Sequence, residues 1–329
     1  MMEQEYKYMV CTRCFTFNHA PYIVDAMNGF TMQETTFPVI TLIVDDASQD
    51  GEPDVIRQYL VENFQAPYST EETDDYYLIC ANHTTNPNCT FVVFLLKYNH
   101  YSIRKSKMPY LSKWSDNAKY TALCEGDDYW IDPYKLQKQV EYLEKHQECG
   151  LVHARAKIYN QDKQSFVGLC GENEERFESI ITVNPIVTLT ACYRTKLFLE
   201  YQGLKQQWDT RDWKMGDYPM WIWMSYYSKV FFMNEEVGVY RVLKSSASHG
   251  SLETRLLFLA NTASIQTFFV ELFKLPKEIK ETIDYKCIQE SANACMKVHQ
   301  KRKAFSYIKR LNFKDKIWLL RSIALDAFK

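Results

Sequence analysis

The chain is poor in glycine, with ten among 329 residues, and no two of the ten stand at G-x-G spacing. A dinucleotide-binding fold needs glycines after its first strand so that the backbone can approach a pyrophosphate. Here the corresponding stretch reads Phe17-Asn18-His19-Ala20. Gly-Lys-Ser and Gly-Lys-Thr are also absent, which removes the lysine-bearing loop of the P-loop NTPases. Any phosphate-binding device in this chain is therefore something other than a glycine loop. An excess of one charge is missing too: 39 Lys and Arg stand against 41 Asp and Glu, a formal net charge of -2. That balance argues against nucleic acid as a bulk partner, because phosphate binding needs a clear cationic excess. No apolar stretch approaches the roughly 20 residues that span a bilayer. The opening Met1-Met2-Glu3-Gln4-Glu5 is acidic and polar where a secretory signal is basic and then apolar. With ten cysteines read as free thiols, the expectation is a cytoplasmic protein. Cys11 and Cys14 form a C-x-x-C, but both fall along one strand and no second pair answers them, so redox and zinc chemistry are set aside.

The chain does contain an α/β pattern. Tyr8 to Phe17 reads as a strand, Ile23, Ala26, Met27 and Phe30 recur at helical spacing, and Val39 to Val44 is an apolar run of the kind buried on both faces of a parallel sheet. A helix carrying Val55, Ile56, Tyr59 and Leu60 follows. This β-α-β-α order predicts a doubly wound sheet with its ligands at the carboxyl ends of the strands. Residues 65–90 read as a long polar excursion, 90–96 and 120–124 as further strands, and Asp132-Pro133 as the start of a helix lined by Leu136, Val140 and Leu143. Short strands are expected at 151–153, 187–190 and 237–240, an aromatic helix at 218–227, and helical hairpins from Leu252 onward. The expected organisation is an α/β domain over residues 1–250 and a helical extension over 251–329.

The densest chemistry lies in Glu125-Gly126-Asp127-Asp128-Tyr129-Trp130, directly after the 120–124 strand. Three carboxylates on one short turn repel one another unless a cation neutralises them. Hard oxygen ligands beside an open pocket suit Mg²⁺ or Mn²⁺, which keep a diphosphate and waters as further ligands. The bland alternative is a solvated acidic turn.

Five motifs follow one another in order: Thr16-Phe17-Asn18-His19-Ala20-Pro21, Val44-Asp45-Asp46-Ala47-Ser48, Glu125 to Trp130, Gly216-Asp217-Tyr218-Pro219 and Val239-Tyr240-Arg241-Val242. Together, over roughly residues 6–250, they resemble family 2 glycosyltransferases of bacterial type with the GT-A fold. The resemblance implies a Rossmann-like mixed sheet flanked by helices, with a helical C-terminal appendage. It implies inverting transfer of a sugar from a nucleotide diphosphate sugar, a UDP-sugar being favoured, to a glycan or lipid-linked acceptor, as in surface polysaccharide synthesis. By the same resemblance Phe17, Asn18, Asp45, Asp127, Arg241 and Lys244 bind the donor, Asp127 and Asp128 hold Mn²⁺ or Mg²⁺, and Asp217 is the catalytic base. The chain departs from the pattern where Glu125 replaces the first Asp of the metal motif and Gly216 an acid. It departs again where Leu243 stands in place of a His, a role that could pass to His249. Trp213, Trp221 and Trp223 are candidates for stacking on an acceptor sugar.

Two rival functions share these features. A nucleotidyltransferase would need a cation on the α-phosphate near the first turn, for which Arg13 is the candidate. A catalytically silent sugar-nucleotide-binding protein would lose Asp128 or Asp217, and both are present. From Lys297 to Lys329 the chain carries ten Lys and Arg against two Asp, with apolar residues interleaved. Such helices either bury one face on a core or touch the inner face of an anionic membrane.

Overall fold

The computed structural model describes residues 6–205, 213–243 and 251–317. Its contacts divide the chain into two compact units. The first comprises Met1–Arg176, Pro185–Asp209 and Met224–Val242; the second comprises Phe177–Asn184, Thr210–Trp223 and Leu243–Lys329. The expected boundary at residue 250 falls among residues outside the description.

In the first unit the chain runs β1 (Tyr8–Thr16), α1 (Ile23–Thr31), β2 (Val39–Asp45), α2 (Glu52–Asn63), β3 (Ser69–Glu72), β4 (Tyr76–Asn82), β5 (Cys89–Leu96) and α3 (Met108–Ser115). It continues through β6 (Ala118–Leu123), β7 (Tyr129–Trp130), α4 (Lys135–Lys145), β8 (Cys149–Asn160) and β9 (Ser165–Cys170). After α5 (Phe177–Ile180) in the second unit come β10 (Cys192–Arg194), α6 (Thr195–Lys205), α7 (Tyr218–Tyr227) and β11 (Lys229–Val242). The described strands form one sheet in the order β3-β4-β5-β2-β1-β6-β10-β8-β11-β7, with β9 on β8. Its centre is parallel: β5, β2, β1 and β6 run side by side in one direction.

Period-two alternation explains why β2 is buried at all seven positions. Val39 and Ile43 enter a core with Phe30 of α1, Leu60 of α2 and Leu136 of α4, while Ile40, Leu42 and Val44 enter another with Leu111 of α3. Burial of such side chains contributes roughly 1.5–3 kcal/mol each. The same alternation sends Cys11 and Cys14, three residues apart on β1, into opposite cores. All ten cysteines are free thiols, and burial pushes Cys11 up to about 12.

Three expectations are corrected. Residues 65–90 are not a polar excursion throughout: β3 and β4 pair antiparallel and extend the sheet edge, with Leu78 opposite Phe94. The exposed Ser69-Thr70-Glu71-Glu72 edge has no apolar pattern to betray it, and such charge discourages edge-to-edge pairing. Residues 187–190 hold a turn of 3₁₀ helix, Thr188–Thr190, and the strand lies just beyond in β10. The helix expected from Asp132 begins at Lys135, and Gln33 rather than Asp132 receives the Leu136 N–H, at 3.1 Å. β8 and β11 are also longer than expected, because exposed residues such as Asn234, Glu235 and Glu236 interrupt the apolar pattern.

The second unit is helical. It includes α5, the start of α7, and the helices α8 (Leu252–Leu272), α9 (Lys277–Lys297) and α10 (Lys301–Ile308). Ser251 caps α8 by accepting the Thr254 N–H at 3.3 Å. Ala292, Cys295, Ala304, Ile308 and Leu311 make the core between α9 and α10. Tyr218 at the head of α7 donates to the Ile180 carbonyl at 2.9 Å and accepts from Gln266 of α8 at 2.9 Å. Among the described residues, no helix is long and apolar enough to cross a membrane.

Candidate active site

Parallel alignment of β5, β2, β1 and β6 brings the loops after them to one edge of the sheet, where open α/β sheets bind ligands. These loops enclose a cleft of about 830 Å³, within the usual range for small-molecule sites. Phe17, His19, Asp46, Lys97, Tyr98, Tyr101, Glu125 and Asp127 are among its lining residues. Phe17 is 43% exposed, so an aromatic face is open to the cleft.

The acidic turn is anchored to the end of β1. Cys124 N–H donates to the Arg13 carbonyl at 3.1 Å and Gly126 N–H to the Phe15 carbonyl at 3.1 Å. A side chain at position 126 would put its Cβ 2.1 Å from Thr16 Oγ1, so this close approach requires glycine. Asp128 N–H then closes the turn on the Glu125 carbonyl at 3.1 Å. One carboxylate oxygen each from Glu125, Asp127 and Asp128 lie within 4.8 Å of one another. Asp128 is buried, Asp127 is half-buried and Glu125 is exposed. Burial, then the charges of Asp127 and Glu125, push the Asp128 carboxyl well above the usual carboxylate range. A divalent cation would relieve that repulsion, and an all-oxygen donor set with one deep and two more open carboxylates fits Mg²⁺ or Mn²⁺. Glu125, whose place in the metal set the sequence left open, belongs to this cluster of carboxylates.

Arg241 of β11 braces this turn from behind. Its backbone N–H donates to Asp128 Oδ1 at 2.8 Å, Nη1 to the Asp127 carbonyl at 2.7 Å and Nη2 to Asp25 at 2.7 Å. The guanidinium also lies over the rings of Tyr22 and Tyr129, with centroids at 4.7 and 5.1 Å. It is buried in these contacts and is not part of the cleft lining.

Asp45, the last residue of β2, is fully buried. Its Oδ2 accepts the Ser48 N–H at 3.2 Å, while Oδ1 has no hydrogen-bond partner. The side chain borders a smaller recess of about 310 Å³ with Arg57, Tyr77 and Lys97. Burial, opposed by hydrogen bonds from Ser48, pushes the carboxyl up to about 6. Asn18 has a positive φ of 57° and ties loops together: its N–H donates to Ser48 Oγ at 2.8 Å, and its Oδ1 accepts from Gln49 N at 2.9 Å.

Sequence reading missed Glu52, Asp46, Lys97 and Tyr98. Glu52, buried at the start of α2, accepts from His19 N at 2.8 Å, from Ser48 Oγ at 2.9 Å and from Thr16 Oγ1. Asp46 accepts from the His100 and Tyr101 N–H groups at 2.8 and 3.1 Å and pairs with Lys107 at 2.7 Å. The first polar residues after the apolar β5 run, Lys97 and Tyr98, were the available signal for the third wall.

Asp217 belongs to the second unit and heads α7. Its carbonyl accepts the Trp221 N–H at 3.0 Å and its Oδ1 the Tyr218 N–H at 2.8 Å. Trp221 and Trp223 are buried, and Trp213 packs on Phe268 at 5.3 Å, so these rings serve the helical core. Lys244 and His249 lie outside the described residues. Arg13 is buried with its guanidinium 4.2 Å from the centre of the Phe198 ring, away from the cleft lining.

The chain matches no protein-family profile. Over 182 residues it is 30% identical to uncharacterized proteins of Mycobacterium tuberculosis and Mycobacterium bovis, a match covering 54% of this chain and 45% of those proteins. The match thus spans less than half the length of these relatives. Among solved structures, the mannosyltransferase PcManGT from Pyrobaculum calidifontis, in complex with GDP-Man and Mn²⁺, superposes with a TM-score of 0.54 at 16% identity. That likeness covers 99% of this chain and 82% of the mannosyltransferase. Staphylococcus aureus TarS, in complex with UDP, gives a TM-score of 0.47 at 13% identity over 94% of this chain and 77% of its own.

Proposed function

We propose that the chain is an inverting, metal-dependent glycosyltransferase of family 2 that moves a sugar from a nucleotide diphosphate sugar to an acceptor hydroxyl. Its mixed α/β fold is that of a glycosyltransferase. The observation that carries the reading is the acidic turn, whose three carboxylates converge beside the cleft that also exposes Phe17. Asp127 and Asp128, joined by Glu125, would hold Mg²⁺ or Mn²⁺. The cation supplies charge neutralisation for the diphosphate leaving group.

The remaining roles fall to the chain's own side chains. Phe17 offers its ring to the base or ribose, and the unpaired Oδ1 of Asp45 accepts an N–H from the base. Asn18 holds the loop that presents Phe17. Arg241 acts through the acidic turn, and Lys244 supplies positive charge to the diphosphate. Asp217 takes the acceptor hydroxyl proton on its carboxylate as the oxygen attacks the anomeric carbon. One glycosidic C–O bond forms, the C–O bond to the diphosphate breaks, and the configuration inverts.

The acceptor class that suits this reading is a glycan or lipid-linked sugar, and a UDP-sugar is the favoured donor. The nucleotidyltransferase alternative has less to stand on, because Arg13 is buried against the Phe198 ring and is not among the residues that line the cleft. Donor turnover by Asp217→Asn, followed with a set of UDP- and GDP-sugars, tests the assignment. Transfer and donor hydrolysis are expected to be lost while nucleotide binding is retained; undiminished transfer would remove Asp217 from the mechanism.

A further inference from the structure

Helix α10 buries one face and leaves an unusual mixture on the other. Ala304, Ile308 and Leu311 fill the core against α9. Lys301, Phe305 and Lys309 stand four residues apart, so they form one stripe along the exposed face, flanked by Arg302. Phe305 is 45% exposed and Phe313, beyond the helix end, is 78% exposed. Between residues 297 and 317 there are eight Lys and Arg against the single acid Asp315. Seven of these cations, Lys297, Lys301, Arg302, Lys303, Lys309, Arg310 and Lys314, are exposed. Asp315 is engaged by Tyr285 and Asn312 instead of by any of them.

A chain with a formal net charge of -2 thus gathers a local positive patch and sets solvent-exposed Phe rings within it. Clusters of this size attract anionic lipid headgroups, and aromatic rings insert at the headgroup level while long basic side chains reach outward to phosphates. We propose that the 297–317 surface docks the chain on an anionic lipid bilayer, Phe305 and Phe313 entering the interface and Lys301, Arg302 and Lys309 contacting headgroups. Exposed aromatic rings favour a bilayer over a polyanion, which would use the cations alone. The inference rests on no part of the transferase reading, and its test needs no sugar substrate.

The test is co-sedimentation of the full chain with phosphatidylcholine vesicles, with and without about one third phosphatidylserine, at ionic strengths of about 0.1 and 0.5 M. Binding to the anionic vesicles at the lower salt, and its loss at the higher, is expected. Lys301→Gln combined with Lys309→Gln is expected to weaken partitioning on the order of 30-fold. Phe305→Ser with Phe313→Ser should weaken it further at unchanged charge, and both variants alter exposed side chains, so unfolding midpoints should match the parent. Failure of the full chain to sediment with anionic vesicles at the lower salt would overturn the proposal. So would binding insensitive to both double variants, or binding to heparin that is tighter than to vesicles and indifferent to the Phe substitutions.

Discussion

The Arg241 backbone N–H donates to the buried Asp128 Oδ1 at 2.8 Å, tying the last strand of the sheet to the acidic turn that follows β6. The same residue's side chain reaches the Asp127 carbonyl and Asp25. Its charge therefore supports the turn from behind, leaving the front of the carboxylates to the cleft. Substitution of Arg241 by Met keeps the backbone bond but removes the guanidinium. The expected cost is about 1–3 kcal/mol of stability, since the Asp127 carbonyl and the half-exposed Asp25 lose the buried guanidinium that they share, together with weaker metal-dependent nucleotide binding. Arg241→Lys should recover only part of both, because an ammonium cannot reach two separate acceptors in fork geometry. Chemical denaturation and calorimetric nucleotide titration read the two effects.

Gly126→Ala places a Cβ where Thr16 Oγ1 and Cβ already stand, at 2.1 and 2.5 Å. The turn must shift, and with it the relative positions of Glu125, Asp127 and Asp128. Mn²⁺-dependent nucleotide binding should fall at least about tenfold, the scale expected when metal ligands lose their support. Gly203→Ala, at an exposed position with nothing near the added Cβ, should leave binding unchanged and serves as the control.

Asp45 gives the site a pH signature. Its carboxyl is pushed up to about 6, mainly by burial, above its ordinary value of 3.8. The folded chain then binds more protons than the unfolded chain between those values, so Asp45 favours folding below about pH 4. That contribution is lost as pH rises through about 6, on the order of 2–3 kcal/mol in total. Nucleotide binding should run the other way, strengthening as ionised Asp45 becomes the better acceptor for a base N–H. Asp45→Asn should flatten both trends across this window. A variant that keeps the parent's binding profile would remove Asp45 from base recognition.

Glu52 should matter as much as the residues that face the cleft. It is buried and collects hydrogen bonds from Thr16, His19 and Ser48, joining the loops after β1 and β2. Glu52→Gln replaces one acceptor oxygen by a donor and should cost roughly 1–3 kcal/mol, with nucleotide affinity reduced in parallel. Thermal unfolding and titration with UDP check this.

The central sheet was legible because β2 and β5 are apolar along their length and Pro53 marks the first turn of α2. The acidic turn was legible because its three carboxylates fall within four residues directly after the apolar β6 run. Other features escaped for physical reasons. β3 lies at an exposed edge and carries no alternation, and β11 contains the solvated Asn234-Glu235-Glu236 break. Glu52 reads in the sequence as a helix-start acid; only folding brings Thr16 and His19 to it, from 36 and 33 residues away. Arg241 reads as a cation for a diphosphate, and its contacts with Asp25, 216 residues upstream, are invisible without the fold.

The most direct test of the account is nucleotide-sugar binding with and without Mn²⁺, followed by thermal shift in the parent chain and in Asp127→Ala. At least one UDP- or GDP-sugar is expected to raise the unfolding midpoint of the parent only when Mn²⁺ or Mg²⁺ is present, and Asp127→Ala is expected to abolish the shift. No stabilisation by any nucleotide sugar, or an equal shift in the presence of a chelator, would contradict it.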